Sequence, residues 1–209
     1  MKSVGFLQTA RLHPSAWGHA TGFTLLELMV AVAILAIGTA IAAPSYSAML
    51  RSNRTKSVAS ELLAALSLAR SEAARRGQPV SICKSSDGSN CAGSNTQWDS
   101  GWIVFVNEDN DKPAVRDSGE LILLARQNLP GGVTVRPNNN LTNYLTYSRT
   151  GLANQMGTFA ICSDSAENKA QAIVVDLTRV MLANDSNGNG IPETADSGRL
   201  VDIASCESP

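Results

Sequence analysis

One carboxylate stands alone in an apolar run. Residues 23–43 are apolar apart from Thr24, Gly38, Thr39 and a single charge, Glu27. An acidic side chain in such a run costs roughly 2.5 kcal/mol or more near its centre and less near an end, which marks the residue for a task. The chemistry open to it is pairing with a cation. A second set of groups is the four cysteines, Cys83, Cys91, Cys162 and Cys206, which all follow the run. None forms a Cys-x-x-Cys pair, which argues against a thiolate zinc site and a thioredoxin-like dithiol and leaves disulfides, in three conceivable pairings. The expected pairs are Cys83–Cys91, closing a short Ser, Asp, Asn and Gly loop beside a strand, and Cys162–Cys206, tying the C-terminal tail to a strand.

A third set lies near the C-terminus. In the stretch 185–193, oxygen side chains alternate at Asp185, Asn187 and Asn189, Gly190 permits a sharp turn, and Glu193 follows. This is the pattern of a calcium loop, expected to bind weakly, in the range of about 10⁻⁴–10⁻³ M. Asp196 occupies the spacing of the usual last glutamate, and Pro192 interrupts the pattern. The alternative is a plain Asn/Gly-rich turn without metal. No other cofactor is expected. Residues 107–111 read as a polar loop.

The elements that carry these groups follow from periodicity. A helix of 21 residues is about 31 Å long, which matches a bilayer core of ~30 Å. Lipid offers no backbone partners, so residues 23–44 are expected to form a spanning helix. Residues 45–76 continue it as an amphipathic helix, with Val58, Leu62, Leu66, Ala69 and Ala73 on one stripe and Leu63 and Ala65 widening it. Arg51, Arg54, Lys56, Glu61, Glu72, Arg75 and Arg76 fall mostly on the other side. Gly77 and Pro79 form a stop signal. A break or bend is expected near Pro44, because proline removes a hydrogen bond and clashes with the preceding turn. Beyond residue 77 short β runs alternate with Gly, Pro, Asn and Ser clusters, at 79–84, 101–107, 121–127, 132–136, 144–148, 158–162 and 172–176, with 179–182 as a further strand. The expected fold is α+β, one long helix packed on a mainly antiparallel sheet. At 44% hydrophobic and 17% charged residues, the chain suits one membrane segment plus one globular domain.

The residues around Glu27 carry a resemblance. Gly22-Phe23-Thr24-Leu25-Leu26-Glu27, followed at once by a membrane-length apolar run, resembles the prepilin processing site of type IV pilins and type II secretion pseudopilins. The resemblance implies cleavage between Gly22 and Phe23 by a prepilin peptidase, N-methylation of Phe23, and an assembly role for Glu27, fifth in the processed chain. Residues 67–77, Trp98-Asp99-Ser100-Gly101-Trp102-Ile103-Val104-Phe105, the stretch 147–151 and the stretch 158–162 are similar to the GspH/FimT branch of minor pilins and pseudopilin H. Trp98 and Trp102 read as core residues.

On this basis residues 1–22 are a leader, 23–44 the membrane and filament-core helix, 45–76 the amphipathic helix and 77–209 a β-rich periplasmic domain. Both histidines, His13 and His19, then lie in the leader. The processed chain has none, so a Ser-His-Asp or Cys-His arrangement is impossible and no enzyme is expected. An even cysteine count in an exported domain favours disulfides. The implied partners are other pilin or pseudopilin subunits, the prepilin peptidase and the inner membrane, crossed once. The implied role is a minor subunit of a pilus-like filament, with protein export by a type II pseudopilus or DNA binding in natural transformation as alternatives. Some members of the branch bind DNA through a basic Gly-Arg-x-Arg stretch. Here that place reads Leu177-Thr178-Arg179-Val180-Met181-Leu182, without the glycine and the second arginine. Residues 77–209 contain nine Lys and Arg against fifteen Asp and Glu, a formal charge of −6. Nucleic-acid affinity rests largely on phosphate neutralisation by basic patches, so nucleic acid is disfavoured.

Overall fold

The computed structural model describes residues 22–138, 141–163, 166–189, 191–196, 199–203 and 205–206. The expected leader lies outside them except for Gly22, as does Gly190 of the calcium pattern. The chain divides into two compact units, one ending at Pro44 and one starting at Ser45.

Helix α1 covers Leu25–Arg76. Its helical assignment continues through Pro44, so the chain does not leave the helix where a break or bend is expected. A proline deletes one backbone donor, and the ladder on either side is long enough to carry a single missing rung. At the other end Gly77, with φ of 65°, takes the left-handed conformation that favours glycine and donates its N–H to the Ala73 carbonyl at 3.0 Å. Glu72 accepts from Arg75 and Arg76 in the last turn. Those bonds, Arg75 first, hold its carboxyl down at about 2.

The second unit is built from antiparallel strands. In chain order they are β1 Val80–Lys84, β2 Gly101–Val106, β3 Ile122–Gln127, β4 Val133–Pro137, β5 Tyr144–Tyr147, β6 Gly157–Ser163, β7 Ala166–Val175, β8 Val180–Leu182, β9 Glu193–Asp196 and β10 Arg199–Asp202. One four-stranded sheet has the order β3-β2-β1-β5, the other β4-β6-β7-β8, and β9 and β10 form a separate pair. The sequence pattern located β1 to β6, the second half of β7, and β8. It missed the β9–β10 pair and the first half of β7. Glu-Thr-Ala-Asp and Ala-Glu-Asn-Lys carry no alternating apolar face, so tertiary pairing decides their conformation rather than local preference.

The helical stripe is what joins the two sheets. Val58, Ala59, Leu62, Ala65, Leu66, Ala69 and Ala73 are fully buried, in one apolar cluster with Ile82, Val104 and Leu145 of the first sheet and Val135, Phe159 and Ile173 of the second. Trp98 and Trp102 are buried in the same cluster, as expected. Trp98 donates Nε1–H to the Thr142 carbonyl at 3.1 Å and packs edge-on against Phe159 at 5.0 Å. Two ion pairs tie the periphery: Arg126 to Glu61, linking β3 to α1, and Arg136 to Asp99, linking β4 to the turn before β2. The far face of the first sheet is also covered. There the buried Ser81 hydroxyl bonds to the Thr146 hydroxyl and accepts from the Asn107 side-chain amide, and Cys83, Ile103, Phe105 and Ala114 form a second cluster.

Two disulfides close loops. Cys83 bonds to Cys91 and Cys162 to Cys206, with Cα separations of 5.6 and 6.0 Å. Inside the first loop Asp87 accepts from the Asn90 side chain and from the amides of Asn90 and Ser89, which holds its carboxyl well below the usual range. The second bond brings Cys206 into a buried cluster with Ala160, Ala170, Ala172 and Ile203.

Two outcomes are expected for the 45–209 unit, which contains this whole core. Leu62→Ala truncates a fully buried side chain in the cluster that holds residues of both sheets and should cost about 2–5 kcal/mol in urea denaturation. Replacing Cys162 and Cys206 together by serine should cost about 4 kcal/mol, against about 2.5 kcal/mol for the Cys83 and Cys91 pair, because the longer closed loop constrains the unfolded chain more. Equal urea midpoints for the two serine pairs would contradict that ranking.

Candidate processing and assembly site

The start of α1 is built by Thr24. Its carbonyl accepts the Leu28 N–H at 3.2 Å, the first helical bond, and its hydroxyl accepts the Glu27 N–H at 3.2 Å. Thr24 is therefore the N-cap and Glu27 the third helical residue. Thr-x-x-Glu is the capping-box pattern, in which hydroxyl and carboxylate serve orphan amides at opposite positions. Glu27 lies in the first turn, at the positive end of the helix dipole. Its carboxylate is exposed and forms no ion pair among the described residues. The sequence reading singled out Glu27 and Phe23 but not Thr24, although the capping signal was present in the same word.

The Gly22–Phe23 bond sits ahead of the cap, outside the helical ladder. A protease needs an extended substrate, and the cap supplies one by ending the helix two residues downstream. A Cβ at Gly22 would meet nothing within 4 Å, and Phe23 is 83% exposed. From Gly22 to Ala43 every side chain is exposed. Leu25, Leu26, Met29, Ile34, Leu35 and Ile41 are each more than 60% exposed. The helix is long and apolar enough to cross a membrane.

The calcium pattern at 185–193 folds as a chain of side-chain-to-backbone turns. Asp185 Oδ1 accepts the amides of Gly188 and Asn189, Asn187 Oδ1 accepts that of Asn189, and Asn189 Oδ1 accepts that of Ile191. The side-chain amides of Asn187 and Asn189 donate to Asp202 at 3.1 and 2.7 Å. Glu193 belongs to β9, and its carboxylate accepts from the Ser186 amide and hydroxyl. These side-chain-to-backbone bonds have the geometry of Asx turns. Among the described residues no three His, Cys, Asp or Glu side chains gather as a metal requires.

The place of the branch's basic stretch is β8 and the turn before it. Arg179 is exposed and pairs with Asp176 at 3.5 Å. Met181, in the second arginine's position, lies on β8.

Residues 18–43 match the prokaryotic N-terminal methylation motif. The crystal structure of type IV minor pilin FimU from Pseudomonas aeruginosa strain PAO1 is similar in fold, with a TM-score of 0.51 at 22% identity over 74% of this chain and 96% of that one. A second crystal form of FimU gives 0.46 at 21% identity over 72% and 98%. No curated protein matches by sequence. Residues 58–179, more than half of the chain, match the family model of type II transport protein GspH, from the buried stripe of α1 to the turn before β8. The chain belongs to the GspH family.

Proposed function

We propose that this chain is a minor pilin or pseudopilin, a structural subunit of a type IV pilus-like filament. The observation that carries the proposal is the capped helix start: an unwound Gly22–Phe23 bond, then Thr24, then Glu27, heading an exposed apolar helix. Before assembly the apolar helix is held in the inner membrane by one span, with the β-rich unit in the periplasm. On assembly it moves among the apolar helices of other pilin subunits. A prepilin peptidase frees the amine of Phe23, and Glu27 pairs with such an amine on a neighbouring subunit. A type II pseudopilus working in protein export uses the same device. The role is mechanical rather than catalytic, since the processed chain carries no histidine. DNA binding is the weaker reading, because the cation at 179 already faces Asp176 and the β-rich part is acidic.

Mass analysis of the membrane-extracted protein is expected to find a methylated N-terminal Phe23. An intact Met1 start in cells with active peptidase, or a cut elsewhere, would overturn the processing step. For assembly, Glu27→Gln and Glu27→Ala separate two contributions. The Thr24 hydroxyl accepts the backbone N–H of residue 27 whatever its side chain, and Glu27→Gln removes the charge while keeping a polar side chain of similar size. An uncompensated charge in an apolar setting costs about 3–5 kcal/mol. Both variants should therefore lower recovery in sheared filaments by roughly tenfold or more, with the β-rich unit still folded. Recovery of Glu27→Gln at the unsubstituted level would remove the charge from the mechanism.

A further inference from the structure

Three stretches that the sequence marks, 67–77, 147–151 and 177–182, meet at one groove. Ser67, Arg70 and Ser71 of α1 line one wall, and Thr150, Gly151 and Val180 line the other, around a cavity of about 330 Å³. The assembly site at the helix start uses none of them.

Arg70 is the centre of the groove. Its Nε donates to the Gly151 carbonyl at 3.1 Å. Gly151 has φ of 75°, and an added Cβ would sit at an ordinary 3.5 Å from Arg70 Cγ, so backbone conformation rather than space asks for glycine here. The bond through Nε fixes the guanidinium plane. Both Nη groups are left without an acceptor among the described residues, as is the Ser67 hydroxyl. Glu72, two residues along the helix, is already taken by Arg75 and Arg76 at 2.6 Å each. Arg149, beside Thr150 on the opposite wall, adds positive charge, whereas Arg179 is paired with Asp176. Tyr147, which feels the charge of Arg70, buries a hydroxyl with no partner, and burial pushes its phenol above the usual range. The groove is rich in donors and cations and holds no carboxylate.

We propose that this groove receives a carboxylate from a neighbouring filament subunit, an Asp or Glu side chain gripped by the two Nη groups of Arg70. The inference rests on the filament reading above. Arginine's planar fork matches a carboxylate with two parallel bonds. A phosphate also fits the fork, but a polyanion must approach a β-rich part of formal charge −6, which a single carboxylate on a protein does not face to the same degree. The cavity is about ten times a water's ~30 Å³ share of the liquid, more than a bare carboxylate fills, and it leaves room for the side chain that carries one. Leu152, next to Gly151 of the lining, and Leu177, three residues before Val180, are both nearly half exposed and offer apolar area that a protein partner buries and a free anion does not.

The test places the photo-reactive residue p-benzoylphenylalanine at Leu152 of the full chain, in cells that assemble filaments. It compares the otherwise unchanged chain with Arg70→Gln and Ser67→Glu. Ser67→Glu leaves the Gly151 bond intact and sets a carboxylate three residues from Arg70 on an exposed helical position, plugging the groove from within. The expected product is a cross-link to another pilin-type subunit, mapping beside an Asp or Glu. Its yield per recovered chain should fall about tenfold in both variants. An unchanged yield in Ser67→Glu overturns the groove assignment, as does a cross-link to nucleic acid or within the same chain. A chain never recovered in sheared filaments overturns the filament reading together with the groove.

Discussion

A single helix carries two apolar surfaces, and the chain covers only one of them. From Thr55 to Ala73 the stripe is sealed by two antiparallel sheets. From Phe23 to Ile41 the large apolar side chains are exposed, each by half or more. Fully burying a Val, Leu, Ile or Met is worth roughly 1.5–3 kcal/mol each. Summed over that many exposed residues, the deficit exceeds the net stability of a typical domain. Lipid or the apolar helices of other subunits must therefore supply the missing surface. This requirement separates the chain from an ordinary soluble α+β protein, and it makes one carboxylate in the run consequential.

The sealed half explains the rest of the architecture. A helix packed on one sheet would leave much of its stripe wet. Here the stripe shares one apolar cluster with Ile82 and Val104 of the first sheet and with Val135 and Phe159 of the second. Trp98, in the turn before β2, spans the seam by touching Phe159 with its ring and Thr142 with its N–H. The second disulfide acts at the remaining weak point. The C-terminal tail has few large apolar residues, and Cys206 and Ile203 are what bring it under cover.

Much of this was legible in the sequence, for physical reasons that can be named. The stripe at 58–73 repeats at helical spacing, the strands β2 and β6 are dense in β-branched and aromatic residues, and the processing word is followed by an unmistakable apolar run. What stayed hidden depended on pairing instead of pattern. The β9–β10 pair exists because Glu193 through Asp196 find Arg199 through Asp202 at matched register. The loop at 185–189 has the composition of a calcium site and of an Asx turn alike, and composition carries no information on which amides its oxygens accept. Thr24 is one polar residue among apolar ones, and its role shows only where its hydroxyl meets the Glu27 amide. Arg70 looked like one more surface cation until the fold set the Gly151 carbonyl against it.

The cap and the charge bear differently on assembly. A capping carboxylate on an exposed helix start is worth a few tenths to one kcal/mol and acts within one chain. A paired carboxylate in an apolar medium is worth far more against the unpaired state, yet little against two apolar groups in the same place. An apolar helix among other apolar helices can slide with small energetic consequence, because every register buries comparable surface. One charge per helix removes that degeneracy: a slip leaves an ion uncompensated, while the correct register leaves none. The amine that answers the charge exists only after the Gly22–Phe23 bond is cut, so an unprocessed chain brings a carboxylate and no partner of its own. In the proposed filament, processing is therefore felt as electrostatics at the point of docking, and Thr24, by holding the first turn closed, fixes where along the helix that charge is presented.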